Sequence, residues 1–454
     1  MEEIILEEKV QELAEARKFA QIREIFLTLE PADIAPLFEL FPKDVQLAVY
    51  RRLPKELAAE VFVEMDNDMQ EHLISTFSDK ELKEVLDEMF LDDTVDIIEE
   101  MPATVVKRIL KQSDADSRKQ INELLKYPGD SAGSLMTPEY VSLKKEMTVA
   151  EAFDRIRKTG VDKETIYTCY VVDRGRHLLG VLTVKELLLA DQDAVIEDIM
   201  ETNIIFANTL DDKEDVANLF NKYGFLAIPV VDAETRLVGI VTFDDAIDVM
   251  QEASTEDFEK MAAVLPSDKT YLKTGILETF IKRIPWLMIL MISATFTGMI
   301  ISGFEKGLTA FPALISFIPM LMGTGGNSGS QASVSVIRAL SLGDIEFSDF
   351  FRVLVKEFLV SVVCGVSLAA VNFAKIYFID YMLLGNIENL VEMAVVCLAL
   401  AVIVIVAKTI GSILPIVAEK LGFDPAVMAQ PLMSTIVDVL SLIVYFGIAS
   451  FILF

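Results

Sequence analysis

A single carboxylate, Asp438, stands near the middle of the last apolar segment of the chain. A charge at the centre of a bilayer costs about 2.5–3.5 kcal/mol on insertion scales, so Asp438 should face water or an ion. Gln430, Ser434 and Asp438 are spaced four apart and share one face of a helix. Gly326 and Ser330 repeat that spacing within Gly323-Thr-Gly-Gly-Asn-Ser-Gly-Ser-Gln331, a polar, glycine-rich stretch between two apolar runs. Lipid offers no partner to bare backbone, so such a stretch must be buried in protein or line a wet cavity. It is expected to break its helix. Two small polar stripes with one carboxylate describe a narrow hydrophilic path; a proton relay or a buried structural acid is the plainer alternative. Lys408 is the nearest basic residue among the apolar segments.

A second group of acids lies outside the apolar segments. Glu252, Glu256 and Glu259 fall at spacings of four and three, on one helix face. The spacing shows no basic partner at i+4 on that face, so they are expected to repel. A solvated face explains them; a divalent cation screening them against Asp92, Asp93, Asp245 or Asp248 is the sharper alternative. Asp92, Asp93 and Asp96 also suit the positive end of a helix dipole. Enzyme chemistry finds no footing: the two histidines, His72 and His177, lie outside the apolar half, and no nucleophile–base constellation is present. Cys169, Cys364 and Cys397 have no paired spacing and read as reduced packing residues.

The elements that position these residues divide sharply. Mean hydropathy is +0.43 over 454 residues, with a net charge of −30. From Ile284 onward there are 11 Asp/Glu and 7 Lys/Arg, so −26 of that charge belongs to residues 1–283. The acidic half excludes nucleic acid, which needs basic patches. Its first residues lack the basic and apolar regions of a signal peptide, so this half is expected in the cytoplasm.

Residues 1–127 repeat a unit of roughly 12 residues, with copies starting at Ala32, Asp44, Lys55, Asp68, Lys80, Asp92 and Thr104. Each predicts one short capped helix, and stacked short helices predict a superhelical domain. A different pattern then occurs twice: strand, turn, a Gly-apolar-apolar-Thr strand and a helix. Its marks are Met136-Thr-Pro and Ile199-Met, Val171-Val-Asp and Val230-Val-Asp, Gly180-Val-Leu-Thr and Gly239-Ile-Val-Thr. This resembles a tandem pair of CBS domains. The resemblance implies an adenine nucleotide, ATP included, held between the modules by a Thr-x-x-Asp pattern. Thr242-Phe-Asp-Asp245 fits that pattern; Thr183-Val-Lys-Glu186 departs from it. At most one nucleotide site per pair follows, and two purely structural modules are the plainer reading.

Five apolar segments are long enough to span a bilayer: 284–304, 308–340, 351–379, 388–416 and 425–453. Lys282, Arg283, Arg338, Arg352, Lys356 and Lys420 mark one side; Glu305, Asp380, Glu388 and Glu392 mark the other. The positive-inside rule places the acidic half in the cytoplasm and the C-terminus outside.

Pro319-Met-Leu-Met-Gly-Thr-Gly-Gly-Asn-Ser-Gly-Ser-Gln331, Arg283-Ile-Pro-Trp286 and Asp424-Pro-Ala…Pro431…Asp438 resemble the MgtE family of magnesium channels. The order of segments matches along essentially the whole chain. The expected fold class is multi-domain: an α-helical superhelical N-domain (1–128), an α+β tandem CBS pair (129–198 and 199–254), a connecting or plug helix (255–283) and an all-α membrane domain of five transmembrane helices (284–454). The resemblance implies a homodimer in the plasma membrane with one pore on its twofold axis. Gly323, Gly326, Ser330, Gln430 and Ser434 fall at pore-lining positions and Asp438 at the pore carboxylate. Asn is frequent in the family where this chain has Ser330 and Gln430. The resemblance further implies that cytoplasmic Mg²⁺ closes the pore by bridging carboxylates, with Asp92, Asp93, Asp245, Asp248, Glu252, Glu256, Glu259 and Asp424 as candidate ligands. A CBS-regulated transporter of another divalent cation or solute is the alternative.

Overall fold

The computed structural model describes residues 2–267, 271–383, 390–428 and 430–453. Glu388 and the side chains of Asp380 and Gln430 lie outside this description. The chain divides into two compact units, Met1–Gln251 and Glu252–Phe454.

In the first unit, α1 (Glu2–Glu15) and α2 (Phe19–Phe26) precede seven helices, one for each repeat of the sequence. These are α3 (Pro31–Glu39), α4 (Lys43–Tyr50), α5 (Lys55–Val63), α6 (Asn67–Thr76), α7 (Asp79–Leu86), α8 (Leu91–Glu100) and α9 (Ala103–Gln112); α10 (Ala115–Leu124) follows. Proline fixes several starts. Pro31 opens α3, and Pro42, Pro54 and Pro102 directly precede α4, α5 and α9. Its φ suits a first turn, where a missing N–H costs nothing. Ser78 and Glu81 close a reciprocal capping box on α7. The helices pack alternately, α3 on α5, α5 on α7 and α7 on α9, around Phe38, Phe62, Leu73 and Ile109.

Next come α11 (Ala132–Leu135), β1 (Tyr140–Leu143), α12 (Val149–Thr159), β2 (Thr165–Val172), β3 (Leu178–Thr183) and α13 (Val184–Leu189). The pattern returns as α14 (Ile196–Ile199), β4 (Ala207–Asn208), α15 (Lys213–Tyr223), β5 (Ala227–Val231), β6 (Leu237–Thr242) and α16 (Phe243–Met261). Each module is a three-stranded sheet with its first pair parallel and its second antiparallel. Val171 lies opposite Gly180, and Val230 opposite Gly239. The modules exchange their entry segments. Thr137 pairs with Ile240 through bonds of 2.8 and 2.9 Å, and Glu201 pairs with Val181 through bonds of 2.9 and 3.0 Å. The two glycines permit this approach. A Cβ on Gly239 would sit 2.9 Å from the Thr137 carbonyl, and one on Gly180 would sit 2.6 Å from Met200 Sδ. The residues expected as one connecting helix, 255–283, are divided: α16 runs unbroken to Met261, with no Gly or Pro to interrupt it, and the next helix starts at Ile276.

In the second unit, α17 (Ile276–Gly303), α18 (Glu305–Ala310), α19 (Ile318–Ser341), α20 (Phe350–Lys375), α21 (Leu390–Lys420) and α22 (Gln430–Leu453) form the apolar half. Among the described residues four stretches are long and apolar enough to cross a membrane: Ile276–Gly303, Phe347–Ile379, Leu390–Lys420 and Pro425–Leu453. α19 is not among them. It packs on α21 and α22, and α20 packs on α21, around Leu321, Ile403, Val404, Tyr445 and Phe446. The expected break at Gly323–Gln331 is absent: α19 is continuous through that stretch, and the irregular backbone lies before it, at Phe311–Phe317. Glycine costs about 1 kcal/mol per residue in a helix interior, and close backbone packing offsets this. Pro431 falls in the first turn of α22, where its missing N–H breaks no helix bond.

Candidate functional site

In the first unit, α8 begins with Asp92 and Asp93. The N–H of Leu91 is satisfied by Glu139 Oε2 at 3.1 Å, a carboxylate from the segment leading into β1. Asp92 is only 8% exposed, and its Oδ1 has no hydrogen-bond partner. Asp93, Asp245, Glu164 and Glu139 crowd it electrostatically. Burial first, and these like charges second, push Asp92 well above the usual carboxylate range. The same causes push Asp93 up to about 7 and Glu164 up to about 8. Asp245 rises to about 6, chiefly through burial, although the Thr242 hydroxyl donates to its carboxylate at 2.5 Å and opposes the rise. Asp96 and Asp248 stand at the exposed rim of this group.

The cluster thus brings together Asp92, Asp93 and Asp245, three of the acids named as candidate ligands. It adds Glu139, Glu164 and Asp244, which no spacing linked to α8. Glu164 Oε2 is buried without a partner, as is Asp92 Oδ1. Among the described residues no three carboxylates converge as a ready-made metal site. The donors are hard oxygens on separate elements, the type a hydrated Mg²⁺ takes up one or two at a time.

A cavity of about 790 Å³ lies between the two modules. Thr183, Lys185, Tyr170, Glu201, Asn203 and Phe225 are among its lining residues, with an otherwise mainly aliphatic wall. Tyr170 is fully buried and its hydroxyl has no partner. An aromatic and aliphatic wall with a few polar groups suits a heterocycle on a polar sugar. Thr242 and Asp245 are not among the lining residues. They sit instead at the start of α16, in the carboxylate cluster. Residues of both modules line the cavity, and of the two motif threonines only Thr183, from the copy that departs from the pattern, is among them; Glu186 folds back to cap it.

In the second unit, the glutamates of α16 are not without a cation. Lys260 Nζ lies 2.6 Å from Glu256 Oε1 and 2.5 Å from Asp424 Oδ2. Lys260 is the i+4 partner of Glu256 that the sequence reading lacked. Asp424 Oδ1 accepts from the N–H of Ala426 at 2.7 Å. Glu259 Oε2 accepts from the N–H of Ser267 at 2.9 Å. The Ser341 hydroxyl donates to Asp257 at 3.3 Å.

The polar stripes meet along α19. A Cβ on Gly326 would lie 3.0 Å from Ser434 Oγ, and one on Gly325 would lie 2.7 Å from Ser441 Oγ. A Cβ on Gly411 of α21 would collide with the Gly329 carbonyl. Gly323 has open space on its Cβ side. Ser330 and Ser441 are buried with unpartnered hydroxyls, and Asp438, one turn beyond Ser434, is half-buried. Lys408 is buried on α21. Gln430 opens α22, and its side chain lies outside the described residues.

Apolar spanning helices, one carboxylate among small polar residues and a CBS pair define a multi-pass membrane transport protein, not an enzyme. Family models agree in detail: a divalent cation transporter domain over residues 318–448, an MgtE intracellular N domain over 29–130, and CBS domains over 132–193 and 196–252. The chain is 36% identical over 456 aligned residues to the magnesium transporter MgtE of Thermus thermophilus, covering 99% of both chains. It is 33% identical to that of Bacillus subtilis, covering 95% of this chain and 94% of the relative. The chain belongs to the MgtE family of magnesium transporters. Two solved structures resemble its acidic half. The cytosolic domain of the Mg²⁺ channel MgtE in complex with ATP matches 53% of this chain and 98% of its own length, at 36% identity and TM-score 0.51. The soluble part of a magnesium transporter matches 56% and 99%, at 30% identity and TM-score 0.52.

Proposed function

We propose that this protein mediates Mg²⁺ uptake across the plasma membrane as a gated channel, closed by Mg²⁺ bound at its acidic half. The carrying observation is the carboxylate cluster around Asp92: a buried, unpartnered acid among like charges is stable only when protonated or bridged by a cation. Asp92, Asp93, Asp245 and Asp248 would supply ligands there, with Glu252, Glu256, Glu259 and Asp424 at the connecting segment. High Mg²⁺ neutralises these groups and holds the gate shut; low Mg²⁺ restores the repulsion and releases it.

The ion path uses α19 and α22 in a homodimer with its pore on the twofold axis. Two copies of Asp438 face one dication there, and Gly323, Gly326, Ser330, Gln430 and Ser434 line the approach. Mg²⁺ gives up water reluctantly, so few carboxylates and many outer hydroxyls and carbonyls suit its passage. In this reading α19 counts as a fifth span, buried among four more apolar helices. The domains are 1–128, 129–198, 199–254, a connecting segment 255–283 and the pore domain 284–454, with the N-terminus cytoplasmic and the C-terminus outside. The cavity at Thr183 and Tyr170 takes an adenine nucleotide, a reading supported by the ATP complex of the related cytosolic domain.

Mg²⁺ flux into reconstituted vesicles tests the path. Asp438→Ala is expected to reduce flux at least about tenfold, the effect of 1.4 kcal/mol on a barrier. Equal flux in the native chain and the variant would sink the pore assignment. Limited proteolysis with and without millimolar Mg²⁺ tests the gate, and identical digestion patterns would count against it.

A further inference from the structure

We infer that Lys260 is a tethered competitor for the regulatory cation: its ammonium occupies the position between Glu256 and Asp424 that a divalent ion would take. This rests on the reading that Asp424 and the glutamates of α16 hold regulatory Mg²⁺.

Three observations carry the inference. Lys260 Nζ reaches both carboxylates at once, at 2.6 Å from Glu256 Oε1 and 2.5 Å from Asp424 Oδ2. One positive charge thus bridges α16 to the turn before α22, two elements separated by more than 160 residues. Asp424 also presents one oxygen free of the backbone. Its Oδ1 accepts from the N–H of Ala426, in the first turn of the short helix Pro425–Met428. Oδ2 is the oxygen that Lys260 holds, so a dication arriving there meets an ammonium 2.5 Å from that oxygen and is repelled until the lysine withdraws. The neighbourhood, finally, holds a further carboxylate: Asp257, one residue beyond Glu256, accepts from the Ser341 hydroxyl at 3.3 Å.

An ammonium is a point charge with three donors on a flexible stem. It can swing away without disturbing the helix that carries it. A hydrated divalent ion brings twice the charge and accepts oxygen ligands that an ammonium does not satisfy. Each ion that enters must displace Lys260. The lysine therefore sets the concentration at which the connecting segment responds, and it holds that segment in register while the ion is away.

The test is a Mg²⁺ titration of limited proteolysis on the full chain, comparing the native protein, Lys260→Met and Lys260→Arg. Methionine keeps the stem and removes the charge; arginine keeps the charge. Lys260→Gln replaces the methionine variant if gel filtration shows that variant to be misfolded. Half-maximal protection in Lys260→Met is expected at about tenfold lower Mg²⁺, whereas Lys260→Arg stays within about twofold of native or needs more. An unchanged threshold in Lys260→Met, or protection lost at every Mg²⁺ concentration, overturns the inference; the second result would make Lys260 a structural strut. A native chain that shows no Mg²⁺-dependent protection overturns the gating reading and this inference together. A native chain that responds, beside an unresponsive threshold in the variant, overturns this inference alone.

Discussion

The seam around α19 and the carboxylate cluster around α8 are opposites in what they lack. The seam is tight at four glycines. Gly325, Gly326, Gly329 and Gly411 bring backbones and hydroxyls so close that a single Cβ would meet a neighbour at 3.2 Å or less. Its charge is spare, with Asp438 alone along α22. The cluster instead gathers like charges, and two of its buried carboxylate oxygens have no partner. One region is finished by shape; the other is left unfinished electrostatically. The proposed function would use both: an ion path must keep its geometry while ions pass, whereas a sensor must change when its ion leaves.

The contrast can be broken first on the seam. Gly411→Val should prevent α19 and α21 from packing, since even a methyl would strike the Gly329 carbonyl. Overpacking costs about 1–3 kcal/mol, and a backbone collision belongs at the upper end. The expected outcome is loss of the monodisperse peak of detergent-solubilised protein. A native elution profile and melting temperature would show that the seam yields.

The opposite result is expected in the cluster. Asp92→Asn removes a buried charge while keeping its shape. Without divalent ions it should stabilise the protein by about 1–3 kcal/mol, the usual scale for an unsatisfied buried group. It should also shrink the stabilisation that Mg²⁺ confers. Thermal unfolding in EDTA and in 10 mM Mg²⁺ reads both effects, and a variant less stable than native in EDTA would contradict the picture of unrelieved repulsion.

A smaller effect sharpens the same contrast through pH. Asp93 near 7, Asp245 near 6 and Glu164 near 8 all lie above their unfolded values of about 4. Between those limits the folded state holds protons that the unfolded state has released, so stability falls as pH rises. From pH 5 to pH 8 without divalent ions the melting temperature should drop by at least the 2–4 °C that about 1 kcal/mol is worth in a large domain. Mg²⁺ should recover more at pH 8 than at pH 5. A flat profile in EDTA would remove the cluster from the regulatory account.

Much of this was legible in the chain. Seven polar-apolar units became seven helices, because each carried its own start signal and apolar face. Gly180 and Gly239 stood out as repeated marks before their close contacts were visible. What stayed hidden was non-local. Glu139 and Glu164 join Asp92 only through packing, and nothing in their own neighbourhoods points to α8. The cavity formed at Thr183 rather than Thr242, because the wall is built from residues of both modules. The glycine run of α19 suggested a broken helix, since glycine weakens an isolated helix; neighbouring helices decided otherwise. Lys260 stands at i+4 from Glu256 and was overlooked there, and its second partner, Asp424, is reached only through the fold.

The exchanged entry segments of the CBS pair bear on how the protein is made. The first sheet receives Glu201 from the linker to the second module, and the second sheet receives Thr137 from the segment before the first. Neither sheet is complete while the chain is still emerging at residue 190. The early module must wait, with the edge of β3 uncovered beside Gly180, until Met200 and Glu201 arrive. Long-range pairing of this kind slows folding and exposes strand edges meanwhile. The two modules should therefore form in one cooperative step, and a fragment ending between them should be prone to pair with its own copies.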